Sequence, residues 1–298
     1  MDEKQKQLIT LLTGIMPEET FLTTSIKGLF LFRIENSFSR CPYAYNSEII
    51  ILGQGQKQVY LGNDIYTYDS SHYLVLPVPL PAECEGIAEP GKPILGLTIT
   101  IDPIEVGEIL LDMWDIQNEI QYLPKGISSA PMSEALYDAA IRLLKAIADP
   151  QDKKVLAPMI KREIIYRVLQ GEKGEILQAL AHRNKSFFQI AKVLQKIHES
   201  YSNDFNIEKL AKELHMSSST FHSSFKAVTD SSPLQYIKNV RLHKARTLMI
   251  QDGLNANLAA IQVGYESSSQ FNREYKRLFG VTPAKDATIL RGLHMVNP

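Results

Sequence analysis

At 298 residues, with 22% charged and 44% hydrophobic side chains, the chain is long enough for two domains that each bury a core, and no apolar run reaches the roughly 20 residues that span a bilayer. Its net charge of −1 hides an asymmetry: from residue 186 onward there are 14 Lys+Arg against 9 Asp+Glu, and before it 18 against 24, which fits a basic module meeting a polyanion and an acidic module that does not. Two cysteines, Cys41 and Cys84, are too few for a disulfide framework and suit a reducing cytoplasm.

The opening MDEKQKQLITLLTGIMPEET mixes charges and lacks a small-residue cleavage site, so it does not read as a secretory signal. It predicts an amphipathic helix with Leu8, Leu11, Leu12 and Ile15 on one face. From about Phe21 to Asp102 the pattern changes to short runs rich in β-branched and aromatic residues: GLFLFRIE, EIIILGQG, QKQVYLGNDIYTYD, SHYLVLPVPLP and PILGLTITID. Turn residues separate them, and LGND predicts a hairpin. Such runs predict a compact antiparallel barrel or sandwich.

From Pro103 the period becomes helical. PIEVGEILLDMWDIQNEI, SEALYDAAIRLLKAIADP and VLAPMIKREIIYRVLQ predict helices as far as Gln178. Two stripes, Val106, Ile109, Leu110, Met113 and Leu136, Ala140, Leu143, Ile147, offer more apolar area than a small barrel needs and predict a dimer surface. The alternative is that they cover the barrel or each other. The polar stretch AHRNKS then leads into a region that is helical to near the end, which divides the chain into domains 1–185 and 186–298.

The last region contains one pattern twice: SSSTFHSSFKAVTDSSP, from Ser217 to Pro233, and SSSQFNREYKRLFGVTP, from Ser267 to Pro283. Phe221 lies over Phe271, Phe225 over Tyr275 and Lys226 over Lys276. Each copy follows a second amphipathic stretch, Ile207, Leu210, Ala211 and Leu214 in one, Leu254, Leu258 and Ile261 in the other. Gly264 supplies the left-handed backbone that ends a helix, and Ser267 with Gln270 forms a capping box. In the first copy Ser217 caps, Thr220 replaces the Gln, and His215-Met216 fill the turn without glycine. Two helices joined by a three- or four-residue turn make a helix-turn-helix.

The second helix of each pair has an apolar stripe: Phe221, Phe225 and Val228, or Phe271, Tyr275, Leu278 and Phe279. Opposite lie Ser218, Thr220, His222, Ser223 and Lys226 in the first copy, and Ser268, Gln270, Asn272, Arg273 and Lys276 in the second. These side chains suit base edges and phosphates, with Gln270, Asn272 and Arg273 the strongest for base contact. Glu274 is the one acidic residue read into these faces. Either face taken alone could simply be solvated; its repetition points to DNA. Between the copies, PLQYIKNVRLHKARTLMIQD predicts one helix with Leu242, Ala245, Leu248 and Met249 inward. About 17 helical residues span roughly 25 Å, enough to hold two readers in successive major grooves ~34 Å apart.

RLHKARTLM followed by AAIQVGYESSSQFNREYKRLFGVTP closely resembles the AraC/XylS family of bacterial transcription regulators, over about Phe187 to Ala287. PYAYNSEIIILGQGQKQVYLGNDIYTYDSSHYLVLPVPLP looks like the cupin-type N-terminal domain of one branch of that family. The resemblance implies an α+β chain, with a small cupin-like β-barrel and helices followed by an all-α double helix-turn-helix. It implies a cytoplasmic, ligand-responsive regulator of promoter DNA that contacts RNA polymerase, as a homodimer or a monomer. Three residues depart from the family pattern: Ser223 where Arg is common, Ser224 where a larger or charged residue is usual, and Asp230 where Gly is usual. The first reader is therefore expected to contribute less affinity than the second.

Cupin barrels often bind metal through a His-x-His pair, but His72 stands alone among its neighbours and reads as a hydrogen-bonded turn residue, so no metal and no cofactor are expected. Lys57, Tyr66, Tyr68 and Tyr73 are the candidate ligand-binding residues, because tyrosines give a small barrel an apolar lining with polar tips. Plain inward and outward alternation would also place them. A second reading makes the chain a thiol- or electrophile-responsive regulator sensing through Cys41 or Cys84 instead of a bound ligand, with Arg40 lowering the Cys41 thiol pKa. A third is a cupin-fold enzyme with a DNA-binding module attached. No phosphate loop, Gly-x-Ser-x-Gly elbow, paired catalytic carboxylates or Cys-x-x-Cys occurs in the sequence, so an enzyme is not expected.

Overall fold

The computed structural model describes residues 3–113, 123–180 and 186–292. The end of the helix predicted over PIEVGEILLDMWDIQNEI and most of AHRNKS lie outside them. Helix α1 (Glu3–Ile15) buries Leu8 and Leu12. Nine strands follow: β1 (Thr20–Thr23), β2 (Leu29–Ile34), β3 (Phe38–Tyr45), β4 (Glu48–Gln54), β5 (Gln56–Leu61), β6 (Asp64–Asp69), β7 (His72–Leu76), β8 (Leu80–Ile87) and β9 (Ile94–Thr100). With β10 (Ser128–Pro131) paired to β7, they form one antiparallel sheet in the order β1-β2-β9-β4-β7-β6-β5-β8-β3. It curls into a half-barrel. The LGND hairpin is present, pairing Leu61 with Asp64 and holding Gly62 at φ 61°.

Alternation follows each strand's surroundings. β5 reads buried at Lys57, Val59 and Leu61 only, whereas β4 is buried along Glu48–Gly53 because α1 packs on its outer face. The inner face needs room for rings. A Cβ on Gly86 would collide with Phe38, and one on Gly96 with Phe32. The sequence reading passed over β1, β3, β8 and β10.

Helix α2 (Pro103–Asp112) starts at Asp102, whose side chain accepts from the Ile104 amide, with Pro103 in the first turn. Helices α3 (Glu134–Ala148), α4 (Asp152–Leu169) and α5 (Glu175–Gln178) complete a layer over the sheet. The expected dimer stripes are used up in this layer. Val106, Ile109, Leu110, Leu136, Ala140 and Leu143 are buried, and Met113 and Ile147 pack partly buried against the same core. Helix α3 lies between α1 and α4, so these residues offer no surface to a second copy. The exposed apolar side chains of the layer are Ile104, Leu111, Val155, Leu156 and Met159.

The remaining helices are α6 (Ser186–Glu199), α7 (Ile207–Glu213), α8 (Ser218–Thr229), α9 (Pro233–Gln251), α10 (Ala256–Gln262), α11 (Ser268–Phe279) and α12 (Pro283–Gly292). Packing divides inside α9. Buried residues up to Val240, including those of α6, α7 and α8, are continuous with the sheet's core, while Leu242, Ala245 and Met249 join a second core with α10, α11 and α12. No helix among the described residues is long and apolar enough to cross a membrane.

Candidate functional site

The two helical pairs turn in the same way. Leu214 ends α7 and Val263 ends α10. Next comes a left-handed residue, His215 at φ 55° or Gly264 at φ 84°. The amides of Met216 and Tyr265 then reach back to the carbonyls of Ala211 and Ala260, which closes a Schellman turn. Ser217 Oγ accepts from the Thr220 amide and Ser267 Oγ from the Gln270 amide, starting α8 and α11. The expected capping box is only half made, because the Gln270 side chain donates to Glu274 instead of reaching back.

Phe221, Phe225 and Val228, like Phe271 and Tyr275, are fully buried, while Leu278 and Phe279 are partly so. The opposite faces stand in solvent: Ser218, Thr220, His222, Ser223 and Lys226 on α8, and Ser268, Asn272, Arg273 and Lys276 on α11 are exposed, with Gln270 half-buried. Glu274 does not belong to this face. It is buried and accepts from Lys238 at 2.7 Å, the Tyr265 hydroxyl at 2.8 Å and Gln270 at 3.2 Å. Both readers therefore present neutral or cationic surfaces. Asp230 takes the left-handed C-cap of α8 at φ 54°, and its carboxylate packs where a Cβ on Gly62 would stand. The Tyr236 hydroxyl donates to the Pro79 carbonyl at 2.6 Å and pairs with His198 Nε2 at 2.9 Å. The first reader is thus seated on the half-barrel.

A cavity of about 280 Å³ lies where the sheet's edges face each other across α9 and α12. Phe21 and Ile34 line one side, Phe38, Cys41, Tyr43, Lys57 and Cys84 the other, and Arg246, Thr247, Ile250 and Leu290 close it. Lys57 is only 6% exposed, and its ammonium lies 5.3, 5.9 and 5.6 Å from the rings of Phe32, Phe38 and Tyr43. It has no hydrogen-bond or ion-pair partner among the described residues, so a buried cation faces an apolar space. Arg246, across the cavity, donates to Asp286 at 2.8 and 3.2 Å and stacks on Phe279. Asp286 also accepts from the Tyr275 hydroxyl of α11 at 2.7 Å. A wider cleft beside α2 and α4 is lined by Lys27, Lys153 and Lys154 together with Lys161, ion-paired to Glu105, and Arg162, ion-paired to Glu108.

Of the four expected ligand residues, only Lys57 lines the cavity. Tyr68, its cross-strand partner, is buried deeper in the half-barrel, where its hydroxyl and that of Tyr45 find no hydrogen bond. Tyr66 is half-buried near Asp64, Lys125 and Asp230, and Tyr73 points toward Gly171 beyond α4. His72, expected in a turn, instead opens β7, with its ring Nδ1 3.0 Å from Ser71 Oγ. Arg40 does not act on Cys41. Its guanidinium pairs with Glu83 and stacks 4.1 Å from the Tyr60 ring; the cations acting on the Cys41 thiol are Arg246 and Lys57. The residues that sequence reasoning missed, Phe38 and Tyr43 on β3 and Arg246 on α9, come from a strand not recognised and a helix assigned to the other domain.

Residues 25–176 match the model of the AraC-type transcriptional regulator N-terminus, and residues 210–287 match a helix-turn-helix domain. The RCS-specific HTH-type transcriptional activator RclR of Escherichia coli (strain K12) is 31% identical over 97 residues, 33% of this chain and 34% of that protein. The virulence regulon transcriptional activator VirF of Yersinia enterocolitica is 28% identical over 149 residues, 49% of this chain and 54% of that protein. The matches span about half or less of these curated relatives. Among solved structures, unsaturated fatty acid bound wild-type ToxT from Vibrio cholerae strain SCE256 shares the fold, with a TM-score of 0.57 and 14% identity over 95% of this chain and 100% of that one.

Proposed function

This chain belongs to the family of AraC-type transcriptional regulators, and from that premise we propose that it binds promoter DNA through α8 and α11, under the control of a small amphipathic carboxylate in the cavity closed by α9 and α12. The observation that carries the ligand class is the buried ammonium of Lys57, which has no hydrogen-bond or ion-pair partner among the described residues, at the wall of a mostly apolar cavity that Arg246 also faces. A carboxylate would satisfy that charge and a hydrocarbon tail would fill the space among Phe21, Ile34, Phe38, Ile250 and Leu290. The fatty acid named in the ToxT structure is of this kind. DNA recognition rests on the exposed faces given above, with Asn272 and Arg273 aimed at base edges and Lys226 and Lys276 at phosphates.

Arg246 faces the same cavity and is bound to Asp286, which holds Tyr275 of the second reader. A carboxylate that draws on Arg246 loosens that hold, so ligand and DNA favour different arrangements and each weakens or strengthens the other. The chain acts in the cytoplasm, contacts RNA polymerase and works as a homodimer, with the exposed apolar side chains of α2 and α4 as the available surface. A cupin-fold enzyme is not favoured beside relatives named as regulators, and a sensor acting through Cys41 or Cys84 in place of any ligand leaves the cavity beside Lys57 unexplained.

The test is fluorescence anisotropy with DNA upstream of the chain's own and neighbouring genes against scrambled DNA, at several salt concentrations, with and without oleate. Tight binding to one fragment, shifted about tenfold by oleate and unshifted in Lys57→Met, is expected. Equal affinity for every fragment, or an oleate response that survives Lys57→Met, would overturn the corresponding half of the reading.

A further inference from the structure

The chain's two cysteines are direct cross-strand partners on β3 and β8. Residues directly opposed in an antiparallel pair have Cα atoms about 4.5–5.5 Å apart, inside the roughly 4.4–6.8 Å range that a disulfide bridges. Each thiol lies close enough to shift the ionisation of the other, and both line the cavity. We propose that Cys41 and Cys84 are a reversible modification site, in which a hydroperoxide converts the two thiols to a disulfide that joins β3 to β8 and shifts their contact with the second DNA reader. This does not rest on the identity of the cavity's ligand.

The chemistry balances. One thiolate sulfur attacks the hydroperoxide, the O–O bond breaks, and sulfenic acid and an alcohol form. The second thiol then attacks that sulfur, and water leaves as the S–S bond closes. Two thiols and one hydroperoxide thus give a disulfide, an alcohol and water. Cys84 suits the first step, because the neighbouring Cys41 thiol and the Lys57 charge hold its pKa below the usual thiol value. Position gives the bridge an effect. β3 is an edge strand with a register irregularity between Phe38 and Cys41, so it is free to move inward as the sulfurs close. It packs on α9 and α11, and β8 packs on α9. A reducing compartment keeps the pair open until an oxidant arrives.

The experiment treats the full chain with tert-butyl hydroperoxide, alkylates the remaining thiols and maps tryptic peptides without reduction; Arg40 and Lys57 place the two cysteines in different peptides. The expected product is one cross-linked pair of peptides, reversed by dithiothreitol, with altered amide hydrogen exchange in α9 and α11. The exchange change should be absent in Cys41→Ser, whose position is partly exposed, and in Cys84→Ala. Separate oxidation of each thiol without a cross-link, or a cross-link that leaves α9 and α11 exchange unchanged, would overturn the proposal.

Discussion

Glu48 is buried inside the half-barrel, and burial raises its pKa to about 7 although the charge of Lys57 opposes the shift. Its unfolded counterpart ionises near 4.5, so between these values the folded chain keeps a proton that the unfolded chain has released. That contribution favours folding at low pH and is lost as pH rises through 7, a difference of about 3 kcal/mol. His198 and His243 run the other way. Burial lowers them from 6.5 to about 4 and about 3, so their contribution is present above pH 6.5 and lost on acidification. The two effects overlap in the parent chain, and Glu48→Gln separates them. Its melting temperature should gain on the parent by about 5 °C between pH 5 and pH 8; parallel melting curves across that range would mean that Glu48 ionises without cost. Neither group was legible as a titrating site in the sequence, where Glu48 opens a strand and the histidines sit in helices; burial by distant elements makes the shift.

At the scale of elements, the two turns differ by one residue type. His215 holds a left-handed backbone that costs an L side chain about 1 kcal/mol, whereas Gly264 holds it freely. His215→Gly should therefore stabilise the chain by about that amount. Gly264→Ala should cost more, since its Cβ would meet the Ser202 carbonyl as well as the strained φ; chemical denaturation of both variants measures the contrast, and a neutral Gly264→Ala would refute it. For the readers, Arg273→Ala should weaken promoter binding about tenfold or more and relax its specificity, whereas Lys276→Ala should weaken binding to all sequences and reduce the salt slope by about one. Ser223→Arg should tighten it, and equal losses on truncating either helix's contacts would show that the readers contribute alike. The repeat made these elements legible because Phe, Tyr and capping Ser recur at helical spacing. β3 and β8 were not legible: FSRCPYAY carries Pro42, tolerated because β3 is an edge strand, and LPAECEGI turns inward the small residues Ala82, Cys84 and Gly86. Without those strands the cavity could not be drawn, and Lys57 alone among its polar residues was found.

For the whole molecule, α9 decides how the modules are joined. Its 19 residues span about 28 Å, somewhat less than the ~34 Å between successive major grooves that two readers would have to meet. Its first half is packed with the half-barrel and its second half with α10, α11 and α12. The two readers therefore differ mechanically. The first is rooted in the sensor's core, and the second is reached through Arg246, Asp286 and the cavity wall. Tyr236 marks the rooted half: its hydroxyl lies between the Pro79 carbonyl and His198, and Tyr236→Phe leaves both half-buried partners unmatched, at a cost of about 1 kcal/mol. If the cores respond separately, hydrogen exchange in that variant should rise in α6, α8 and the amides flanking Pro79 while α11 stays protected. A uniform rise through α11 would mean that α9 transmits the loss along its full length, and that the sensor controls both readers through one rigid unit.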